Sequence, residues 1–338
     1  MNANSIFLAY WPARTLQAAV RLGVFDQLAR GPQTAEQVAA ALKLHPGATA
    51  RLLQALVGLG WLQQSGPHYA NTPEGAVSLV SGSPWYVGGS AHHHSEQLWP
   101  LWGHLETAVR EGRSVVPEAF GHQNPFDLLQ RSPQQLLAFL AGMKGGAVGY
   151  GETLASMYDL SRHRHLVDFG GGSGAISGPL VQRYPHLRVT ILELPPVARL
   201  LPLLLPSYGV GGRLTAHAGD LFRPETYPAS FDAALLGRVL HNWGDDRALE
   251  ILRNIAGALP PGGTVLVLEH LMDAPDPGGR AFAALSNLNM LVMTGEGRER
   301  TGAEYEQLLR QAGLTPLGTL RTQGPLALVV GQKGLPLR

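Results

Sequence analysis

Leu166-Val-Asp-Phe-Gly-Gly-Gly-Ser-Gly174 is the stretch whose reading decides the fold of this chain. Leu166, Val167 and Phe169 are apolar enough for a buried strand, and Asp168 is the acid set among them. Gly170, Gly171, Gly172 and Gly174 crowd the positions that follow, and a helix-compatible run extends from Ile176 to Tyr184. Strand, tight turn and helix in that order aim a helix N-terminus at a ligand. Glycine serves the turn because positive φ costs it nothing and because a ligand can approach backbone without a Cβ. The pattern predicts a nucleotide-like ligand.

Outward from this stretch, strands and helices alternate. Leu166–Phe169, Arg188–Leu192, Leu214–Ala218, Phe231–Leu236 and Thr264–Leu268 read as strands. Ile176–Tyr184, Pro196–Leu205 and Asp246–Leu259 read as helices between them. The alternation predicts an α/β fold, a Rossmann-like doubly wound, mostly parallel sheet. A last helix, Gly302–Ala312, precedes the runs Thr315–Thr322 and Leu326–Val330. The turn residues Thr322-Gln-Gly-Pro325 predict that these pair as a hairpin.

The N-terminal region reads differently, as a mainly α winged-helix domain over residues 1–82. Residues 5–30 predict a helix closed by Gly31-Pro32. Thr34 caps a short helix, Ala35–Leu42, with Gln37 at capping-box distance. Pro46 opens a second helix, Gly47–Leu59, with Leu52, Leu53, Leu56 and Leu59 on one face. Trp61-Leu62, the polar turn Gln63–His68 and Tyr69-Ala70 suggest a small wing. Winged helices often bind DNA, but Arg51 is the second helix's one cation and the wing has no lysine or arginine. Dimerisation, or lidding of a site, is the expected use. Helix 5–30 carries Ile6, Phe7, Leu8, Tyr10 and Trp11, more apolar surface than a small domain can bury. A homodimer through this surface is therefore expected.

Residues 83–158 read as a helical linker, with residues 159–338 as the catalytic domain. The linker is rich in large side chains: Trp85, Trp99, Trp102, Phe120, Phe126, Phe139 and Met143. Most belong to a core. Trp99, Trp102, Phe139 and Met143, with Asn289, Met290 and Met293 from the apolar run Leu285–Met293, are the candidates to line a pocket for a flat acceptor. His92-His93-His94 does not suggest metal, since consecutive helical residues point about 100° apart. A helix from Gln134 to about Tyr158 is expected to join the domains.

Composition narrows the classes further. The 338 residues are 45% hydrophobic and carry a net charge of +1, which gives no electrostatic reason to expect nucleic acid or a membrane surface. There is no cysteine, which excludes disulfides, thiolate metal sites and thiol nucleophiles. Without a signal-peptide pattern or a membrane-length apolar run, the chain reads as cytoplasmic.

Ligands of such sheets bind at the carboxyl ends of the strands. Asp168, Glu193, Asp220, His241 and Glu269 each fall at or just past a strand end. Two nucleotide readings compete. Gly170-x-Gly172-x-x-Ala175 with Glu193 downstream fits the dinucleotide fingerprint formally. However, Asp168 stands where dinucleotide binders are normally apolar. An acid there suits an ammonium, Glu193 suits a ribose diol, and Asp220 suits an adenine amino group. Amino acid, ribose and adenine together describe S-adenosylmethionine.

The chain resembles class I S-adenosylmethionine-dependent O-methyltransferases of the plant phenylpropanoid, hydroxyindole and bacterial antibiotic-tailoring group. The resemblance rests on Val167-Asp-Phe-Gly-Gly-Gly-Ser-Gly174, Leu192-Glu-Leu-Pro195, Gly219-Asp-Leu-Phe222, Leu240-His-Asn-Trp243, Leu259-Pro-Pro-Gly-Gly263 and Gly297-Arg-Glu-Arg-Thr301. The N-terminal region matches that group too. The resemblance implies that Asp168, Gly170 and Gly172 contact the methionine end and that Glu193 binds the ribose. It implies that Asp220 and Leu221 contact adenine, with Trp243 packing nearby. His241 would be the general base, framed by Glu269 and Glu299, without metal. Glu193 stands where aspartate is commoner, Gly237 where many plant members have a cofactor-contacting lysine, and Asn242 where aspartate is frequent.

The sulfonium methyl is already activated, so alignment and a nucleophile are what the protein must supply. A phenol ionises near the tyrosine value of about 10, so a histidine, ordinarily titrating near 6.5, must take its proton as attack begins. The expected function is methyl transfer to a hydroxyl of a flat, hydrophobic small molecule. The rivals are transfer to nitrogen or carbon, a winged-helix ligand-sensing regulator and a nicotinamide-dependent oxidoreductase. The sequence shows no evident carboxylate cluster for magnesium beside the base.

Overall fold

The computed structural model describes residues 2–121 and 133–335. Phe126 lies outside the described residues. The chain divides into two compact units, Met1–Trp99 with Ala138–Val148, and Pro100–Leu137 with Gly149–Arg338.

In the first unit, the helix expected over 5–30 is three helices, Ala3–Phe7, Tyr10–Arg21 and Val24–Leu28. Gly23, at φ 78°, makes the second break, a conformation open to glycine at no steric cost. Thr34 caps Ala35–Leu42 in a complete capping box with Gln37, and Pro46 opens Pro46–Gly58. The wing is real: β1 (Gln33–Thr34), β2 (Leu62–Ser65) and β3 (His68–Asn71) form a small antiparallel sheet in the order β1-β3-β2. Phe25, Val38, Leu53, Leu56, Leu62 and Tyr69 pack its core. Ile6, Phe7, Tyr10 and Trp11 stay at least half exposed.

The second unit is built on seven strands: β4 (His165–Phe169), β5 (Arg188–Glu193), β6 (Leu214–Ala218), β7 (Ala233–Gly237), β8 (Thr264–His270), β9 (Leu314–Arg321) and β10 (Leu326–Lys333). Their order is β6-β5-β4-β7-β8-β10-β9. The first five run parallel, and the expected hairpin adds β10 and β9 antiparallel at one edge. Chain order reverses on either side of β4, which opens the ligand crevice at that strand's carboxyl end. Phe169, Leu192, Leu236, Ile251, Ile255, Val267 and Val329 belong to one continuous core, so the strand ends are held rigidly.

Two further helical expectations change, and one apolar run proves helical. Pro196–Leu205 is broken into Pro195–Ala198, Leu201–Leu204 and a 3₁₀ turn Leu205–Tyr208. Pro202 and Pro206 lack the N–H that a continuous helix needs. The helix expected from Gln134 to Tyr158 is two, Pro133–Gly146 and Tyr150–Met157, parted at Gly149 with φ 83°. The run Leu285–Met293 lies inside an 18-residue helix, Pro277–Thr294, whose N-cap Asp276 accepts from the Gly279 N–H. No helix among the described residues is long and apolar enough to cross a membrane.

Candidate active site

β4 delivers Asp168 to the crevice, buried. The Ser177 hydroxyl donates to Asp168 Oδ2, while Oδ1 has no partner. Burial, with the nearby Glu193 charge adding to it, pushes the Asp168 carboxyl up to about 7. Gly170, Gly172 and Gly174 all hold positive φ, at 71°, 54° and 77°. A Cβ on Gly171 would sit 2.4 Å from Asp168 Cγ, so the loop folds directly over the acid. The Gly172 N–H donates to Glu193 Oε1 at 3.0 Å and the Gly170 N–H to the Leu192 carbonyl at 2.9 Å, tying the turn to the end of β5. Burial raises the Glu193 carboxyl as well. After β6, Asp220 Oδ1 accepts from the Phe222 N–H at 2.9 Å. Leu221, Phe222 and Trp243 are partly buried beside the core, and the Phe222 and Trp243 rings meet edge to face at 4.8 Å.

The segment after β7 carries the base candidate. Arg238 follows Gly237 with φ 58°, a left-handed conformation that costs a bulky residue about 1–3 kcal/mol. Its backbone N–H donates to the Leu268 carbonyl on β8, and its side chain turns inward. A 3₁₀ turn, Leu240–Asn242, then presents His241, which is buried. Glu299 Oε1 lies 3.1 Å from His241 Nδ1. Glu269, near the end of β8, meets the base candidate through its backbone. Its Oε1 accepts from the backbone N–H groups of Val239 and His241, at 3.0 and 3.3 Å. It therefore holds the loop in position, while Glu299 meets the ring.

Arg238 binds the whole group together. It donates to Glu269 Oε2 at 2.9 Å and to Glu299 Oε1 and Oε2 at 2.6 and 3.0 Å. Its Nη2 also lies 2.9 Å from His241 Nδ1, and Ser286 Oγ donates to Glu299 Oε1 at 2.6 Å. Nδ1 thus faces an obligate donor and an obligate acceptor, and one proton decides between them. If Nδ1 carries it, the bond goes to Glu299 and Nε2 is free to act as a base. If Nδ1 accepts from Arg238, Nε2 carries the proton and cannot. Arg238 supplies one positive charge against two buried carboxylates, so the cluster is one charge short when His241 is neutral.

The acids respond unequally. Burial works against the charge on Glu299, but Arg238 outweighs it and holds the carboxyl well below its usual range. Burial wins at Glu269 and raises it. The sequence had suggested no carboxylate cluster beside the base; the fold assembles one. One ligand atom each from His241, Glu269 and Glu299 lies within 4.8 Å of the others, the one such group among the described residues. Arg238 ion-pairs with both acids, at 2.9 Å to Glu269 and 2.6 Å to Glu299.

Arg300, fully buried, braces the same loop from outside. It donates to the carbonyls of Leu240 and Trp243 at 3.1 and 2.8 Å and to Asp245 at 2.9 Å. A Cβ on Gly297 would come within 2.5 Å of the His241 carbonyl, so the glycine lets the two segments close.

The acceptor-lining candidates separate. Trp102, Asn289, Met290 and Met293 belong to the second unit, where Trp102 Nε1 donates to Asn289 Oδ1 at 2.9 Å and Asn289 Nδ2 meets the Met293 sulfur at 3.3 Å. Met290 is buried. Trp99, Phe139 and Met143 belong to the first unit. Trp99 packs against Tyr10 at 6.0 Å with Arg14 over its ring, and Phe139 meets His93 edge to face. His93 bonds Gln97, and burial lowers it to about 4.

A Rossmann-like sheet, a glycine turn folded over a buried acid and a histidine–carboxylate pair on the same edge define the catalytic unit of a class I methyltransferase. The chain belongs to the O-methyltransferase family: residues 102–315 match the O-methyltransferase domain and residues 5–81 the O-methyltransferase dimerisation domain. Acetylserotonin O-methyltransferase of Mus musculus is 36% identical over 337 residues, covering 96% of this chain and 86% of that protein. The 3-hydroxy-5-methyl-1-naphthoate 3-O-methyltransferase of Streptomyces sahachiroi is 37% identical over 325 residues, covering 96% and 92%. The crystal structure of human N-acetylserotonin methyltransferase in complex with SAM superposes with a TM-score of 0.90 at 30% identity, covering 99% of this chain and 100% of that one.

Proposed function

We propose that this O-methyltransferase moves the methyl group of S-adenosylmethionine to a hydroxyl of a flat, hydrophobic aromatic molecule, with His241 as general base. The observation that carries the reading is the buried His241–Glu299 pair, 3.1 Å apart, on the segment packed against the glycine turn. Val239, two residues before His241, is the side chain that a Cβ on Gly170 would meet first, at 3.1 Å.

The residues fit the donor. Asp168 keeps a buried oxygen without a partner, which suits the ammonium of the amino-acid end. The Gly170–Gly172 backbone leaves room for that end. Glu193, anchored by loop N–H groups, retains lone pairs for the ribose hydroxyls. Asp220, Leu221 and Trp243 frame the adenine position. When bound, the donor supplies an electrophilic methyl on a sulfonium. His241 Nε2 takes the acceptor's hydroxyl proton, Nδ1–H donates to Glu299, and Arg238 holds Glu299 in place. Glu269 fixes the loop that carries the imidazole. Such general-base help contributes about 10²–10⁴-fold.

The acceptor class rests on the aromatic and sulfur-bearing side chains of Trp102 and Met293, joined through the Asn289 amide, and on the named relatives, an acetylserotonin and a 3-hydroxy-5-methyl-1-naphthoate O-methyltransferase. A three-part division, 1–82 for dimerisation, 83–158 for the linker and 159–338 for catalysis, accompanies this reading.

Two outcomes follow. Glu193→Ala should weaken S-adenosylhomocysteine binding roughly ten- to a hundredfold, because a charge-assisted hydrogen bond contributes about 1.5–3 kcal/mol. Titration calorimetry reads this directly, and unchanged affinity contradicts the ribose assignment. Titrating NAD on the same sample should give no binding. The exposed Ile6, Phe7, Tyr10 and Trp11 should be buried in a homodimer. Light scattering at micromolar protein should give twice the chain mass, and Trp11→Glu should shift it toward the monomer.

A further inference from the structure

A cavity of about 370 Å³ lies in the catalytic unit and plays no part in the mechanism above. Tyr150, His270, Asp276, Phe282 and Pro325 are among the residues that line it. His270 follows Glu269 on β8, and successive strand side chains point to opposite faces. The cavity therefore lies across the strand from the side on which Glu269 holds the base loop. Its size is within the usual range for small-molecule sites, about 300–1,000 Å³.

Two polar atoms of its lining residues are buried without partners, His270 Nδ1 and Asp276 Oδ2. His270 is only 5% exposed. Burial, reinforced by the Arg238 charge, lowers His270 to about 2, so the ring is neutral. Tyr150 Oη lies 2.9 Å from His270 Nε2, and burial raises that phenol, which keeps its proton. If the phenol donates to Nε2, both groups are satisfied and Nδ1–H remains as a donor. The other tautomer leaves the phenol proton and Nδ1 both unmet, so the first prevails. Asp276 spends Oδ1 on the Gly279 N–H at 2.8 Å, and Oδ2 remains as an acceptor. The lining residues thus hold one buried donor and one buried acceptor. Phe282, edge to face with His270 at 5.0 Å and half exposed, adds an aromatic surface.

We infer that this cavity binds an uncharged aromatic carboxamide, whose carbonyl accepts from His270 Nδ1–H and whose N–H donates to Asp276 Oδ2. A carboxylate is disfavoured, because it brings no donor and repels Asp276. An ester answers His270 and leaves Asp276 unmet. The inference stands apart from the role of His241.

Benzamide and methyl benzoate are the probes, titrated into protein saturated with S-adenosylhomocysteine. Wild type should bind benzamide about tenfold or more tightly than methyl benzoate, the worth of one hydrogen bond to a charged group. Asp276→Asn keeps the helix cap and replaces the free oxygen by an amide donor, so the preference should fall to within about threefold. His270→Phe should weaken both probes by about tenfold. S-adenosylhomocysteine binding, measured first on each sample, shows which variants are folded and reports on the cofactor assignment separately. Equal affinities in wild type, no saturable benzamide binding, or a preference unchanged in folded Asp276→Asn would overturn the inference. If that variant does not fold, undiminished benzamide binding by His270→Phe does the same.

Discussion

His241→Gln should lower turnover by about 10²–10⁴-fold while S-adenosylhomocysteine affinity stays within a few-fold. Glutamine keeps an N–H for Glu299 and roughly the same volume, but it has no site that accepts a proton at neutral pH. The cofactor loop depends on Asp168, Gly172 and Glu193 rather than on His241, so binding should be spared. Glu299→Gln should reduce turnover less, because it weakens the hold on Nδ1 and leaves the base in place. Steady-state rates with a phenolic acceptor, beside calorimetry on the same samples, read both quantities. A His241→Gln protein that keeps most of its turnover with cofactor binding intact would leave alignment as the main source of rate.

The second large effect is on stability. Arg238→Met should lower the free energy of unfolding by about 3–5 kcal/mol, the usual result of breaking a buried ion pair from one side. Glu269 and Glu299 have fully buried side chains, and Arg238 is their cation at 2.9 and 2.6 Å. Without it two carboxylates face each other in the protein interior. Protonating one of them relieves the unpaired charge, so the deficit should shrink at acid pH. Arg238→Lys keeps the charge but loses the fork that reaches both acids, and should fall between. Urea unfolding at neutral pH measures the series. A loss below about 1 kcal/mol for Arg238→Met would mean that the acids are solvated or neutral in the folded protein.

How far the sequence reaches depends on whether the determining contact is local. The glycine turn, the strand alternation, the Thr34–Gln37 capping box and the hairpin signal at Thr322–Pro325 act within a few residues, and each was legible. Pro202, Pro206 and Gly149 were legible as well, but their breaks were read through in favour of longer apolar runs. The helix Pro277–Thr294 was hidden because Gly278-Gly279 opens it and polar residues interrupt its apolar face.

The active site shows the same limit. His241 and Glu269 were singled out from strand ends and Glu299 from the resemblance, and the fold brings the three together. Arg238 was not, because its partners lie 31 and 61 residues away and meet it only after β7 and β8 pair. A cation set into the apolar run Leu235–Leu240 was the signal available. A charge at such a position demands a buried counter-charge, and Glu269 and Glu299 were the candidates already in hand. The division of labour between the acids was likewise out of reach, since it depends on which carboxylate meets the ring and which meets the loop backbone.

The central claim is that His241 is a base, and its tautomer tests that most directly. Nitrogen-15 NMR of the S-adenosylhomocysteine complex, with labelled histidine and a His241→Gln control for assignment, reports which ring nitrogen bears the proton. The account predicts a protonated Nδ1 donating to Glu299 and a bare Nε2 facing the acceptor. A protonated Nε2, with Nδ1 accepting from Arg238, would contradict it, because that imidazole has no lone pair to offer a hydroxyl.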